Sequence, residues 1–202
     1  MKPTRLASTL PRLANRRLLF ATGLPWLALA LVLFQWTGRF SLAAVKDACG
    51  SEAPDVMFAP TPEQTESFLT GCGTTGLEAY RDLQLVDLFY PAASAAVLVV
   101  VLALLLRNAA PRLAWLAALP VATALGDYLE NAAAWVLIGS GPDTPPAAAL
   151  AVFQVGSGAK VVLSWAAWLA VTGMLVARLP AFRRGIVSKR RARTTPEVRG
   201  SL

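Results

Sequence analysis

The sequence contains no histidine and only two cysteines among its 202 residues. Without histidine there is no imidazole to ligate a metal ion or to exchange a proton near neutral pH. Two thiols are too few for a zinc cage, so we expect no metal site and no cofactor. The chain also lacks a phosphate-binding loop, a nucleophile elbow and an internal repeat. The common sequence signatures of a catalytic centre are therefore missing.

Charged residues are also scarce, at 15% of the chain, whereas soluble domains carry about 25%. Hydrophobic residues make up 55% and the mean hydropathy is +0.52, which indicates an integral membrane protein. The formal charge of +7 would suit a nucleic-acid partner, but the basic residues are not gathered on one face. Most lie in the two tails, where they suit anionic lipid headgroups, and we expect no nucleic acid as a partner.

Four stretches have the length of about 20 mostly apolar residues that a membrane span needs. They cover residues 18–36, 88–106, 113–138 and 147–177. We therefore predict an all-α protein with a bundle of four transmembrane helices in the domain 18–178, which could assemble as a homo-oligomer. A basic cytoplasmic tail, 1–17, precedes this domain, and a basic, disordered cytoplasmic tail, 179–202, follows it.

The basic residues also predict the orientation, because Lys and Arg accumulate on the cytoplasmic side of a membrane protein. The two tails and the 107–112 turn carry 15 of the 19 Lys and Arg, whereas the loop 37–86 carries three, with seven acids. We expect a multi-pass protein of the cell (inner or plasma) membrane with both termini in the cytoplasm. The Ala-, Arg- and Leu-rich composition favours a bacterial source. A cleaved signal peptide is the alternative for the first span, whose apolar stretch exceeds the usual 7–15 residues.

The loop 37–86 is too long for an ordinary connection, which predicts structure of its own outside the cytoplasm. Thr61 to Gln64 form a capping box with proline at the first helical position, and the helix they open should end near Gly71. A similar signature at Thr75 predicts a second helix that runs into the second span, with a kink at Pro91. The exoplasmic loop is therefore expected to be partly helical.

The two cysteines, Cys49 and Cys72, both lie in this loop. An oxidising compartment favours a disulfide between them, which would add about 3 kcal/mol by the chain-entropy estimate. Two unpaired thiols are the alternative.

Polar side chains interrupt the last two predicted spans. Asp127, Glu130 and Asn131 are three and four residues apart, which places them on one face of the third span, and Lys160 stands alone in the fourth. A charge facing lipid costs several kcal/mol, so this face must point into the bundle. We predict that Lys160 pairs with Asp127 or Glu130 near the centre of the membrane.

Glycines beside these residues, Gly126, Gly156 and Gly158, would allow the third and fourth spans to approach closely. Asp87 lies where the second span begins and would extend the polar track outward, or is an ordinary interfacial acid. With two acids and one lysine in the spans, a surplus proton or negative charge remains unless Arg81 or a bound cation balances it.

Three of these segments carry a resemblance: Tyr80 to Pro91, the run Asp127 to Asn131, and the lone Lys160. Together they resemble a family of small, uncharacterised bacterial four-span membrane proteins. The resemblance covers the second to fourth spans and implies a shared polar site without naming an activity. The long basic C-terminal tail departs from the family.

Three functions fit this pattern. In the first, which we favour, the polar cluster of Asp127, Glu130, Asn131, Lys160 and Asp87 binds or conducts a lipid, a small molecule or a cation. In the second, the chain is an intramembrane enzyme, such as an isomerase acting on a hydrophobic substrate, with Asp127 or Glu130 in acid–base roles. In the third, the cluster joins helices in a structural or assembly protein. The sequence does not decide whether the chain is an enzyme.

Overall fold

The computed structural model of the chain describes residues 13, 15–107, 109–141 and 144–194, the last part from residue 179 as backbone only. The described residues form helices and no strand, which confirms the all-α prediction. Six α-helices have bounds within the described residues: α1 (Arg16–Ala30), α2 (Leu42–Cys49), α3 (Pro62–Asp87), α4 (Tyr90–Leu106), α5 (Leu119–Ser140) and α6 (Ala147–Thr194). A π-helical turn, Leu31–Gln35, extends α1, and 3₁₀ helices form at Pro54–Val56 and Pro111–Ala118.

Three helical stretches of the described chain are long and apolar enough to cross a membrane. They are Arg16–Phe34, Pro62–Leu106 and Ala147–Arg178, and they contain most of the first, second and fourth predicted spans. The third predicted span is not among them. Its residues divide between the 3₁₀ helix Pro111–Ala118 and α5. Asp127, Glu130 and Asn131 lower the mean hydropathy of α5.

The loop 37–86, named the outer loop for its predicted side of the membrane, folds against the other helices through α2 and α3. The capping box at the start of α3 is present as predicted, with Thr61 and Gln64 bonded to each other's backbone. Gly73, with φ of +57°, marks the break between the two predicted helices, two residues beyond the expected end. At the other end, α3 stops at Asp87 and α4 starts at Tyr90. The predicted kink at Pro91 is therefore an interruption between two helices.

A disulfide between Cys49 and Cys72 joins α2 to α3. Gly76 lies against it, and a Cβ at that position would come within 2.8 Å of the Cys49 sulfur. Beneath the disulfide, a core that includes Val45, Leu69 and Phe153 ties the loop to α5 and α6. The outer loop is therefore part of the folded body rather than a separate appendage.

The consecutive helices α5 and α6 form an antiparallel pair with close backbones and the most extensive contact between two described helices. A Cβ on Gly126 would lie 3.1 Å from the backbone nitrogen of Lys160, and one on Gly156 would lie 2.7 Å from the backbone nitrogen of Glu130. These two glycines allow the contact that the sequence predicts. Gly158 differs, because its nearest neighbour is Ala59 of the outer loop at 3.3 Å.

The end of α6 differs from the expected disordered tail. The helix continues to Thr194, through a segment with five arginines, which favour helix, and with Pro180 and Gly185, which do not. Residues 195–202 lie outside the described part of the chain, as does most of the predicted 1–17 tail.

Candidate functional site

Lys160 is the centre of a buried polar cluster between α5 and α6. Its Nζ lies 3.3 Å from Asp127 Oδ1 and forms a second ion pair with Glu130 Oε2. Asp127 is 8% exposed and Glu130 is fully buried. Spacing of three residues on α5 places both acids toward α6, and the small Gly126 and Gly156 bring the helices close enough for the pairs to form. The residues that the sequence predicts to pair are therefore in contact.

The outer loop completes this cluster with a residue that the sequence analysis missed. Lys160 Nζ donates a hydrogen bond of 3.1 Å to the backbone carbonyl of Asp55, in the 3₁₀ helix Pro54–Val56. One turn earlier on α6, Ser157 Oγ donates to the Met57 carbonyl at 3.2 Å. The outer loop is thereby bonded directly to the buried end of the polar site.

The carboxyl group of Asp55 accepts two hydrogen bonds from α3. Tyr80 Oη donates to one oxygen, and Gln84 Nε2 donates to the other at 2.5 Å. Burial raises the pKa of Asp55, and the nearby Lys160 opposes that rise. Tyr80, Gln84 and Asp87 are spaced by four and three residues, so they share one face of α3. That spacing could have found Gln84, whereas Tyr80 already stands at the start of one of the segments that carry the resemblance.

Asp87 and Asn131 meet at the junction of α3 and α4, beside the cluster. Asn131 Nδ2 donates to the Asp87 backbone carbonyl at 3.4 Å, and Tyr128 Oη donates to the Leu88 carbonyl at 3.1 Å. Asn131 thus connects α5 to the junction and is not a direct partner of Lys160. The Asp87 carboxyl group lines a cavity next to the Lys160 ammonium.

Two charged residues of α3, Asp82 and Arg81, form their described contacts outside the polar cluster. Asp82 turns outward and forms an exposed ion pair with Arg39, with Nε and Oδ2 2.6 Å apart. Arg81 places its guanidinium 5.8 Å from the ring centre of Trp135. The possible balancing role that the sequence suggested for Arg81 therefore has no support in its position.

A cavity of about 530 Å³ lies between the helices, next to this cluster. Its charged lining residues are Asp55, Asp87, Asp127 and Lys160, and the hydroxyl residues Ser94, Thr123 and Ser164 also line it. The remaining wall is mostly apolar and includes the aromatic side chains Trp26, Phe34, Tyr90, Trp165 and Trp168. This volume falls within the range of about 300–1,000 Å³ that is typical of small-molecule sites.

The cluster has more acids than bases. Four carboxyl groups, those of Asp55, Asp87, Asp127 and Glu130, surround Lys160, which is the one basic residue among the described residues that line the cavity. Burying unbalanced negative charge is costly, so protons or a bound cation must neutralise the excess. The site can therefore hold protons or a cationic group, and its chemistry is that of carboxylic acids.

Metal binding finds no support in this arrangement. Within the described ranges, no group of three or more His, Cys, Asp or Glu side chains is placed to hold a metal ion. The chain matches no protein-family model, no curated protein and no solved structure. The resemblance to a bacterial four-span family therefore stays a prediction, and the case for a function depends on the geometry of this site.

Proposed function

We propose that this chain is a four-span membrane protein whose interior cavity binds a small amphiphilic molecule. One observation carries the proposal: a cavity of about 530 Å³ combines four charged residues with a lining that is otherwise mostly aromatic and aliphatic. Small-molecule sites combine an apolar lining with a few convergent polar groups. An amphiphile would place its polar group at Lys160 and the acids, and its apolar part along the aromatic wall.

The proposal needs one span beyond the three apolar stretches, and that span is α5, the third in chain order. Its 22 residues extend about 33 Å, which exceeds the hydrocarbon thickness of about 30 Å. Its exposed face carries the apolar residues Val121, Leu125, Leu129 and Val136, while its acids lie on the buried face. Such a helix suits lipid on one side and a polar interior on the other, so its low mean hydropathy does not argue against a span.

The distribution of basic residues supports an orientation with the 107–112 turn and both termini in the cytoplasm of a bacterial cell membrane, where the tails would meet anionic headgroups. From that turn, the 17 residues of α4 rise about 25 Å to Tyr90. Asn131 contacts the chain at this level, through Asp87. The polar cluster would therefore lie in the outer half of the membrane, beneath the outer loop, rather than at its centre as the sequence suggested.

A reporter enzyme that is active only outside the cytoplasm tests this orientation. Fused after residue 60, it should be active, and fused after residue 202 it should be inactive. Activity of the C-terminal fusion would overturn the proposed topology.

Binding explains the cluster better than a purely structural role. Interhelical polar contacts in membranes are often worth less than about 1 kcal/mol, which is a weak reason to bury five ionisable groups. A structural cluster would also be packed dry, whereas Lys160, Asp127, Asp87 and Asp55 all border the cavity. Intramembrane ionisable residues usually mark a functional site.

Acid–base catalysis on a bound apolar molecule is the second candidate, because a carboxyl group lies at the cavity wall. Of the two acids that the sequence singled out for this role, Asp127 lines the cavity and Glu130 is fully buried behind it. Glu130 would then position Lys160, and Asp127 would be the group that meets a substrate.

Quenching of tryptophan fluorescence tests the binding proposal, because three tryptophans line the cavity. We would titrate 10-bromodecan-1-ol, whose bromine quenches tryptophan on contact, into the protein in lipid nanodiscs. Ala124 is buried at the cavity wall, whereas its neighbour Leu125 is 66% exposed on the outer face. Quenching should reach a plateau as the ligand concentration rises in the wild type and in Leu125→Phe. In Ala124→Phe, whose larger side chain occupies part of the cavity, this plateau should be lost.

A second cavity-filling variant, Ala95→Leu, guards against misfolding of the first. Melting followed by circular dichroism identifies variants that remain folded. Equal saturation in all folded variants, or no saturation in the wild type, would overturn the proposed binding function.

A further inference from the structure

We infer that the natural ligand of this cavity is an amphiphilic organic cation, an amine or quaternary ammonium group attached to an apolar body. This inference rests on the proposed binding function and adds the sign of the ligand's charge. Three features lead to it: the charge balance of the cluster, the unpaired oxygens behind the cavity wall, and the aromatic lining.

The charge balance leaves the cavity wall with acids that Lys160 does not neutralise. Lys160 already contacts Asp127, Glu130 and the Asp55 carbonyl, which together account for the three N–H donors of an ammonium group. Asp87 borders the cavity and forms none of the ion pairs in the described part of the chain. A ligand cation beside Asp87 and Asp127 would reduce the excess negative charge, whereas an anionic ligand would increase it.

Hydrogen-bond acceptors are also left without donors behind the cavity wall. Three side-chain oxygens in and beside the cluster, Gln84 Oε1, Glu130 Oε1 and Asn131 Oδ1, are buried without a hydrogen-bond donor. The three residues are at most 1% exposed. Three donors of the cluster are in use, since Gln84 and Tyr80 donate to the Asp55 carboxyl group and Asn131 donates to the Asp87 carbonyl. None of the residues with an unpaired oxygen lines the cavity, so these oxygens favour a cation in the cavity only through the negative potential that they add. At the cavity wall itself, Trp26 Nε1 is a buried donor without an acceptor.

The lining favours an organic cation over an inorganic ion. Aromatic rings attract cations through their electron-rich faces, and five aromatic side chains border this cavity. Phe34 and Tyr90 pack edge to face with ring centres 5.6 Å apart, which gives the wall at α1 and α4 a defined shape. A cavity of about 530 Å³ is also far larger than a metal ion or a single water, which occupies about 30 Å³.

A set of ligands with the same ten-carbon chain tests the sign of the charge. Decyltrimethylammonium, decan-1-ol and decanoate would compete with 10-bromodecan-1-ol in nanodiscs of zwitterionic lipid, which has no net charge to concentrate one of them. We expect the ammonium compound to compete at a concentration about tenfold lower than the alcohol, and decanoate to compete least.

Two matched variants on α3 locate the charge recognition. Asp87→Asn removes the acid at the cavity wall, and Asp82→Asn removes an acid of the same helix that is paired with Arg39 outside the cavity. Asp87→Asn should lower the affinity for the ammonium compound about tenfold and leave the affinity for the alcohol unchanged. Asp82→Asn should change neither.

The outcomes separate this inference from the proposed function. If the alcohol competes as well as the ammonium compound, or decanoate competes best, the inference fails while the binding function stands. If Asp87→Asn weakens all three ligands equally, the acid shapes the cavity and does not recognise charge, which also overturns the inference. If no compound competes and the quenching does not saturate, the proposed function itself fails.

Discussion

The outer surface of the loop and the interior beneath it use the same residue types in opposite ways. Two ion pairs, Arg39–Asp82 and Lys46–Glu52, each include a basic side chain that is more than half exposed, so water can replace either partner. In the interior, Asp127 and Glu130 are buried, and Lys160, whose side chain is 16% exposed, depends on specific partners from α5 and the loop. The difference shows that the effect of a charge on this fold depends on what surrounds it, because the cost of removing a partner rises as water is excluded.

Removal of Lys160 should have the largest effect. Lys160→Met leaves Asp127 and Glu130 buried without a cation, which should lower the free energy of unfolding by about 3–5 kcal/mol, measured by denaturation in mild detergent. Adding Asp127→Asn and Glu130→Gln should recover much of this loss, because the neutral side chains need no cation. Strictly additive losses would show that the three residues are energetically independent.

The contact between α5 and α6 should be the next most sensitive feature. A methyl group at Gly156 would lie 2.7 Å from the Glu130 backbone nitrogen, so Gly156→Ala should cost about 1–3 kcal/mol through overpacking. Gly139 on α5 has open space around its missing side chain, which makes Gly139→Ala the matched control. That variant should be neutral or slightly stabilising, since alanine favours helix. If Gly156→Ala and Gly139→Ala changed stability equally, α5 and α6 would have moved apart to accommodate the methyl group at little cost.

A pH dependence should distinguish Asp55, whose carboxyl group accepts hydrogen bonds from Tyr80 and Gln84, from exposed acids. Because burial raises the pKa of Asp55 in the folded protein, the folded state holds its proton more tightly than the unfolded state. Its contribution to stability should therefore fall as the pH rises from the ordinary aspartate pKa through the raised one. Thermal melts of wild type and Asp55→Asn between about pH 4 and pH 8 should show a smaller decline in the variant. An equal or steeper decline in Asp55→Asn would contradict the burial of this group.

Disruption of a surface pair should have the smallest effect. Arg39→Gln removes the partner of Asp82, but the Arg39 side chain is 71% exposed and water can solvate both groups. We expect a melting temperature indistinguishable from that of the wild type at moderate salt. A loss comparable to that of Lys160→Met would erase the distinction between the two regions.

Local patterns predicted the parts of this molecule that depend on neighbouring residues in the chain. The capping box of Thr61 and Gln64 opens α3 because its hydrogen bonds join residues three positions apart. In the same way, the spacing of Asp127 and Glu130 alone places both acids on one side of α5. The small Gly126 and Gly156 indicated a close helix contact for the same local reason.

Features that depend on distant segments escaped prediction. Asp55 lies in an irregular segment between prolines, with no periodic pattern, and its contacts with Tyr80, Gln84 and Lys160 exist only after the loop folds onto the bundle. In the proposed orientation, the cluster would lie nearer the outer surface than the ends of the apolar stretches suggested, because counting from those ends ignores where α3 ends and α4 begins.

The sequence by itself determined that the chain is helical and apolar, with acids on one face of α5 and a lone lysine on α6, since composition and spacing are local properties. Only the tertiary structure decided that these groups border a cavity and that Asp55 from the loop joins them. It also decided that acids outnumber Lys160 at the cavity wall. The physical reason is that a cavity and its charge balance belong to several segments at once, and no single stretch of sequence records how closely they pack.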